Sequence, residues 1–171
     1  MTAEDVLEVL AALGGAGVRV SLEGGWGVDA LAGRQTREHE DIDLAVARGD
    51  CDRAAAALGA LGFGHDESAW PGLPARFVLR DGGGRQVDLH PLVFDAAGNG
   101  WQELPEGGWG LHPAELLWHE GTIGGAAVSC IAPELQLRYH LGYPWRERDL
   151  DDLRVLSAAC GIPLPPALGP R

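Results

Sequence analysis

Apolar residues recur at helical spacing through Val6, Leu7, Val9, Leu10 and Leu13 behind Thr2, Glu4 and Asp5, which predicts a capped helix stopped at Gly14-Gly15. The period then shortens to two. Residues 18–22 alternate as a strand that runs into Gly24-Gly25-Trp26, and residues 28–32 read as a short helix ending at Gly33. The stretch Asp41-Ile42-Asp43-Leu44-Ala45-Val46 is a second strand, with Ile42, Leu44 and Val46 on one face and both aspartates on the other.

Asp50 is placed to cap an Ala-rich helix over residues 52–61. Residues 76–80, the turn Asp81-Gly82-Gly83-Gly84 and residues 85–90 read as a hairpin. It points Val87 and Leu89 to the core and Gln86, Asp88 and His90 to the opposite face. Asn99-Gly100 and Gly107-Gly108 mark residues 95–110 as a loop. A strand over 126–131, a helix opened by Pro133 and running to about 141, and a further helix over 147–159 complete the pattern, before a Pro-rich tail. The order α-β-α-β-α-β-β-β-α-α predicts an α/β (α+β) fold: a mixed β-sheet flanked by helices with a small helical C-terminal part, residues 133–160.

Length and composition narrow this. At 171 residues and 46% hydrophobic, the chain suits a single domain over 1–171. Of the six tryptophans, Trp26, Trp70, Trp101 and Trp109 sit beside Gly or Pro in predicted loops, where a ring walls a pocket or caps a core edge. The 13 basic residues are all Arg and face 25 acidic ones, a net charge of -12. Such a surface repels phosphate backbones, which argues against a nucleic-acid substrate, and attracts a cationic small molecule. Cys51, Cys130 and Cys160 have neither disulfide-framework nor zinc-site spacing, which fits a reducing cytoplasm. The acidic N-terminus is unlike a signal peptide, and no window is long enough to span a membrane.

The chemistry lies in the carboxylates. Asp41 and Asp43 are two apart on a strand, so they share a face and repel, and a divalent cation relieves that repulsion. Gly24-Gly25 at a helix start lets a phosphate reach backbone N–H groups. If the strand of Asp88 neighbours that of Asp41 and Asp43, three carboxylates converge. Such a cluster suits two Mg²⁺ ions roughly 3.5–4 Å apart, or leaves Asp88 to take a proton from an acceptor hydroxyl. Alone, an Asp-x-Asp pair is usually a solvated strand face; Gly24-Gly25 before it and Asp88 after it turn the reading to a metal site.

Gly24-Gly25 with Asp41-Ile42-Asp43 and the later Asp88 resembles the polymerase-β-like nucleotidyltransferase superfamily. The string Gly24-Gly25-Trp26-Gly27-Val28-Asp29-Ala30-Leu31, residues 33–43, Val87-Asp88-Leu89-His90-Pro91, Glu106-Gly107-Gly108 and residues 136–143 are similar to the small lincosamide and aminoglycoside nucleotidyltransferases. The resemblance implies a nucleotidyltransferase fold and transfer of AMP from ATP, or NMP from another NTP, to a hydroxyl of an antibiotic-like molecule, with release of pyrophosphate. It further implies Asp41, Asp43 and Asp88 as metal ligands, with Asp88 a ligand or general base, and Arg37 and His39 beside the triphosphate. Arg37 has the alternative of pairing with Glu38 or Glu40, and His39 that of a structural hydrogen bond.

For the acceptor, the candidates are His90, Trp101, Glu106 and Tyr143. His90 shares a face with Asp88, while Trp101 and Glu106 make an acidic, aromatic segment suited to a cation. Packing is the alternative for each, and for His140 as well. Residues 144–148, Pro-Trp-Arg-Glu-Arg, depart from the family pattern and bear on which acceptor is used. A lincosamide is favoured, with an aminoglycoside next and a protein acted on by a nucleotidyltransferase-fold regulator third. The C-terminal helices are expected to close the acceptor pocket, and a homodimer is expected because so short a chain makes a shallow pocket.

Overall fold

The protein is described by a computed structural model covering residues 1–70, 72–141 and 144–166. Helix α1 (Ala3–Gly15) starts at a capping box in which Thr2 and Asp5 exchange side-chain and backbone hydrogen bonds. Strand β1 (Val20–Glu23) leads directly into α2 (Gly24–Ala32), which Gly33 ends in the left-handed conformation. The glycine pair is therefore the first turn of the helix rather than a loop ahead of it, and Trp26 is a core residue, only 1% exposed.

Strand β2 (Asp41–Ala47) is followed by α3 (Cys51–Gly59), where Asp50 occupies the N-cap without a side-chain hydrogen bond. A two-residue β3 (Gly64–His65), β4 (Phe77–Arg80) and the long β5 (Gln86–Phe94) come next. Residues expected to be a loop form a second hairpin, β6 (Gly100–Glu103) and β7 (Trp109–His112), turning at Gly107-Gly108. Its ladder extends the far end of β5, and that pairing organises a segment whose own composition reads as turns.

Past the short α4 (Ala114–Leu117) lie β8 (His119–Ile123) and β9 (Ala126–Cys130), then α5 (Pro133–Tyr139) and α6 (Glu147–Cys160). β8 is too polar to be recognised by pattern. It is fixed by its ladder with β9 and by Gly121, where a Cβ would lie 2.9 Å from Ala30 of α2.

Among the described residues the strands make one mixed sheet, ordered β3-β4-β5-β2-β1-β9-β8, with β6 attached to β5 and β7 to β6. β2 runs parallel to β5 and antiparallel to β1. One face carries Leu22, Ile42, Leu44, Val46, Val87 and Leu89, packed against α1, α2 and α3 through Val6, Val9, Leu13, Trp26 and Leu58. Each such side chain contributes about 1.5–3 kcal/mol when buried. A one-residue slip of β2 would turn its aspartates into this core, so the apolar face holds the register of the polar one. A smaller apolar cluster of Ala45, Leu92, Leu117, Ile131 and Leu135 supports the polar face from α5 and α4. No helix among the described residues is long and apolar enough to cross a membrane.

Candidate active site

The register places Glu23 opposite Asp43 and Asp43 opposite Asp88. Three carboxylates therefore stand in one rung across β1, β2 and β5, on strands about 4.8 Å apart. Asp41 pairs with Gln86 one step along the same face. A cleft of ≈ 1410 Å³ opens over this face, lined at its floor by Glu23, Asp41, Asp43, Asp88 and His90. One wall comes from the β6–β7 hairpin through Gln102, Leu104 and Gly110, and the other from α5 and α6 through Gln136, Tyr139, Asp149 and Asp152.

Gly24 shapes the corner where β1 becomes α2. Its φ is +58°, and a Cβ there would run into the Asp43 carboxylate. Gln136 fixes the same turn from α5, its Nε2 donating to the Gly24 carbonyl at 2.6 Å. At Gly25 a Cβ would strike the side chains of His39 and Arg37. Both glycines thus make room for the protein's own groups.

The acids of the rung are held in different ways. Glu23 is only 4% exposed, and one of its oxygens faces His90 Nδ1 at 2.6 Å while the other faces His112 Nε2 at 2.8 Å. Burial opposes its ionisation, but His112 and His90 hold it at about 2. Asp88 takes a hydrogen bond from Gln86 Nε2 at 2.7 Å on one oxygen and pairs with the Arg76 guanidinium on the other. Asp43 has no such clamp. Burial, with Asp41, Asp88 and Glu23 nearby, pushes it up to about 7 against the opposing pull of His90. His90 is raised to about 9: burial lowers it, and Glu23, Asp43 and Asp88 more than compensate.

Crowded oxygen donors of this kind match a hard divalent cation, which would take the place of the proton on Asp43. Among the described residues no three ligating side chains are already posed around a common point. The reason is local: Arg76 holds one oxygen of Asp88, and His90 Nε2 lies 3.7 Å from Asp43. Asp41, Asp43 and Asp88, all in the cleft lining, are the residues that would hold such a cation.

The remaining expected site residues divide. Arg37 lines the cleft but is engaged neither by Glu38 nor by Glu40 side chains. Its Nε and Nη2 grip the two oxygens of Asp152 at 3.0 and 2.9 Å, and Nη1 donates to the Glu38 carbonyl at 3.1 Å. His39 lines the cleft, its Nε2 2.5 Å from Asp29 and its ring 4.6 Å from that of Trp26. Asp29 also receives the Thr36 backbone N–H at 3.0 Å and the Thr36 hydroxyl, so one buried acid shapes the 34–40 segment. Trp101 and Glu106 are not brought to the cleft. The Trp101 indole N–H donates to Asp95 at 3.0 Å, and Glu106 is exposed at the hairpin tip. Tyr143 lies outside the described residues.

Sequence reasoning missed Glu23, His112, Gln136 and Asp152. Glu23 had a signal, since it directly precedes the glycine pair and falls on the aspartate face by alternation from Ser21. The other three come from distant segments and are brought in by tertiary packing alone.

A mixed sheet with paired aspartates beside a glycine-started helix defines a nucleotidyltransferase. The chain belongs to the family described as aminoglycoside-2''-adenylyltransferase, whose model matches residues 5–156. A lincosamide resistance protein of Staphylococcus haemolyticus is 33% identical over 137 residues, 80% of this chain and 83% of that protein. The crystal structure of the lincosamide antibiotic adenylyltransferase LnuA, bound to lincomycin, superposes with a TM-score of 0.81 at 30% identity, covering 93% of this chain and 98% of that one. The ANT(2'')-Ia structure determined with adenylyl-2''-tobramycin matches at a TM-score of 0.68 and 22% identity, over 91% of this chain and 87% of that one, and shares the fold. The protein is an adenylyltransferase, with ATP as its co-substrate.

Proposed function

We propose that the protein transfers AMP from ATP to a hydroxyl of a lincosamide, in a Mg²⁺-dependent reaction that releases pyrophosphate. The carrying observation is the Asp43–Asp88 pair in one rung beneath the β1–α2 corner. Asp41 and Asp43 would hold the cation, with Asp88 joining from β5; two such ions would neutralise triphosphate charge and favour the attacking oxygen. Asp88 receives the acceptor hydroxyl's proton as that oxygen bonds to the α-phosphorus, and the bond to the pyrophosphate oxygen breaks. Gln86 orients Asp88 through one oxygen, and Arg76 must release the other for Asp88 to take the proton.

The α5–α6 wall closes the acceptor side of the cleft. Asp149 and Asp152 of that wall are paired with Arg146 and Arg37, so it is Asp41 and Asp43 on the floor, with the net charge of -12, that favour a cationic acceptor, which both a lincosamide and an aminoglycoside supply. The lincosamide is preferred because the two relatives at 30% identity or more are described by that substrate. Pyrophosphate release with ATP and Mg²⁺ across lincosamides, aminoglycosides and candidate proteins tests this, and a response confined to another class overturns the choice. Asp88→Asn should abolish turnover while calorimetry still detects Mg·ATP binding.

A homodimer is part of the same reading. Val93, Trp101 and Leu111 form a row on the side of the β5–β6–β7 ladder away from the cleft, with Val93 41% and Leu111 37% exposed. A monomeric mass by light scattering would contradict it.

A further inference from the structure

Of the three acids in the rung, Glu23 alone has both oxygens taken by histidines. It stands beside Asp43 in the ladder but does not serve as a free oxygen donor, and its own side chain does not cap α2. What it does is fix a ring. His90 Nδ1 is bound to Glu23 at 2.6 Å, which leaves Nε2 on the far side of the ring, in the cleft lining and 3.7 Å from Asp43 Oδ1. His112, fully buried on β7, holds the second Glu23 oxygen and so prevents the carboxylate from swinging toward Asp43. The arrangement is a line of four side chains, His112, Glu23, His90 and Asp43, drawn from four different strands.

We propose that Glu23, braced by His112, is a positioning residue that sets the His90 ring so that Nε2 meets the acceptor beside Asp43 and Asp88. The proposal rests on the reading of this cleft as the transfer centre. A histidine whose far nitrogen is held by a carboxylate keeps one ring orientation, and groups that orient a reacting side chain in this way are typically worth about 10–100-fold in activity. Both Glu23 oxygens are held by histidines, so its effect on turnover should pass through His90.

A double-mutant cycle on the full chain tests this, with pyrophosphate release from Mg·ATP and lincomycin as the readout. Glu23→Gln keeps the shape of the side chain and removes its charge, and kcat is expected to fall about 10–100-fold with little change in KM for ATP. His90→Gln should lower kcat as well. The decisive result is that adding Glu23→Gln to His90→Gln produces little further loss, whereas independent or purely structural effects multiply. Multiplying losses, or a Glu23→Gln enzyme with normal kcat, overturn the proposal. His112→Gln provides a second route, with a smaller loss that likewise disappears in the His90→Gln background. If both Glu23→Gln and His112→Gln unfold, the line of residues is a stability element and the proposal is wrong. A wild-type protein that releases no pyrophosphate with any acceptor refutes the transfer-centre reading itself, while normal wild-type turnover with a failed cycle refutes only the positioning role.

Discussion

Asp43 lies directly opposite Asp88 on parallel strands, so each carboxylate makes the other's charge harder to hold. Asp43 yields, raised from 3.8 to about 7 by burial and by its acidic neighbours. The folded protein then keeps a proton that the unfolded chain releases above pH 3.8, and this group's contribution to stability falls as pH rises across that window and is level above about 7. A cation between these acids must displace the proton. The rise in Tm caused by Mg²⁺ should therefore be larger at about pH 8 than at about pH 5.5, and Asp43→Asn should flatten the metal-free slope. Equal Mg²⁺ shifts at both pH values in a thermal melt would place the cation elsewhere.

Gly24→Ala places a methyl group against the Asp43 carboxylate at a left-handed backbone position. The expected loss of stability is about 1–3 kcal/mol, and turnover should fall by more than about 100-fold because the β1–α2 corner and the metal strand are displaced together. Urea unfolding and pyrophosphate release measure the two effects. Wild-type turnover in this variant would separate the corner from the chemistry.

Gln136→Leu leaves the Gly24 carbonyl without its α5 donor. Losing a buried partner costs about 1–3 kcal/mol. Since the helix start is where the triphosphate is expected to rest, KM for ATP should rise more than kcat falls, and steady-state kinetics at varied ATP will show which parameter moves.

Asp152 is 4% exposed as a side chain and binds Arg37 through both oxygens. Burial alone would raise it; His140 and Arg37 bring it down to about 2. Its stabilisation is thus present above pH 3.8 and lost as pH falls toward 2. Asp152→Ala should cost about 2–3 kcal/mol, below the range for a fully buried pair because Arg37 is partly solvated. The variant should also lose this part of the acid transition in unfolding followed by circular dichroism, and an unchanged acid midpoint would show the pair to be weak.

Periodicity revealed the central elements because their two faces differ so sharply. Ile42, Leu44 and Val46 are buried against helices while Asp41 and Asp43 face the cleft, and the same alternation placed Asp88 and His90. β6, β7 and β8 were not legible. Their residues are polar or glycine-rich, and it is ladder partners, not local preference, that make them strands. The same limit applies to the site. Asp41, Asp43 and Asp88 gain meaning from strand alternation together with Gly24-Gly25, whereas Asp152 and His112 acquire theirs only by meeting Arg37 and Glu23 across 115 and 89 residues.

The grip of Asp152 on Arg37 also sets an order of assembly. During synthesis the glycine corner, both metal-strand aspartates and Asp88 emerge well before α6, yet the segment from 34 to 40 gains its last anchor only when residue 152 arrives. A nascent chain would hold its acidic strands in register with one wall of the cleft still open, and the pocket would be finished only once α6 had left the ribosome.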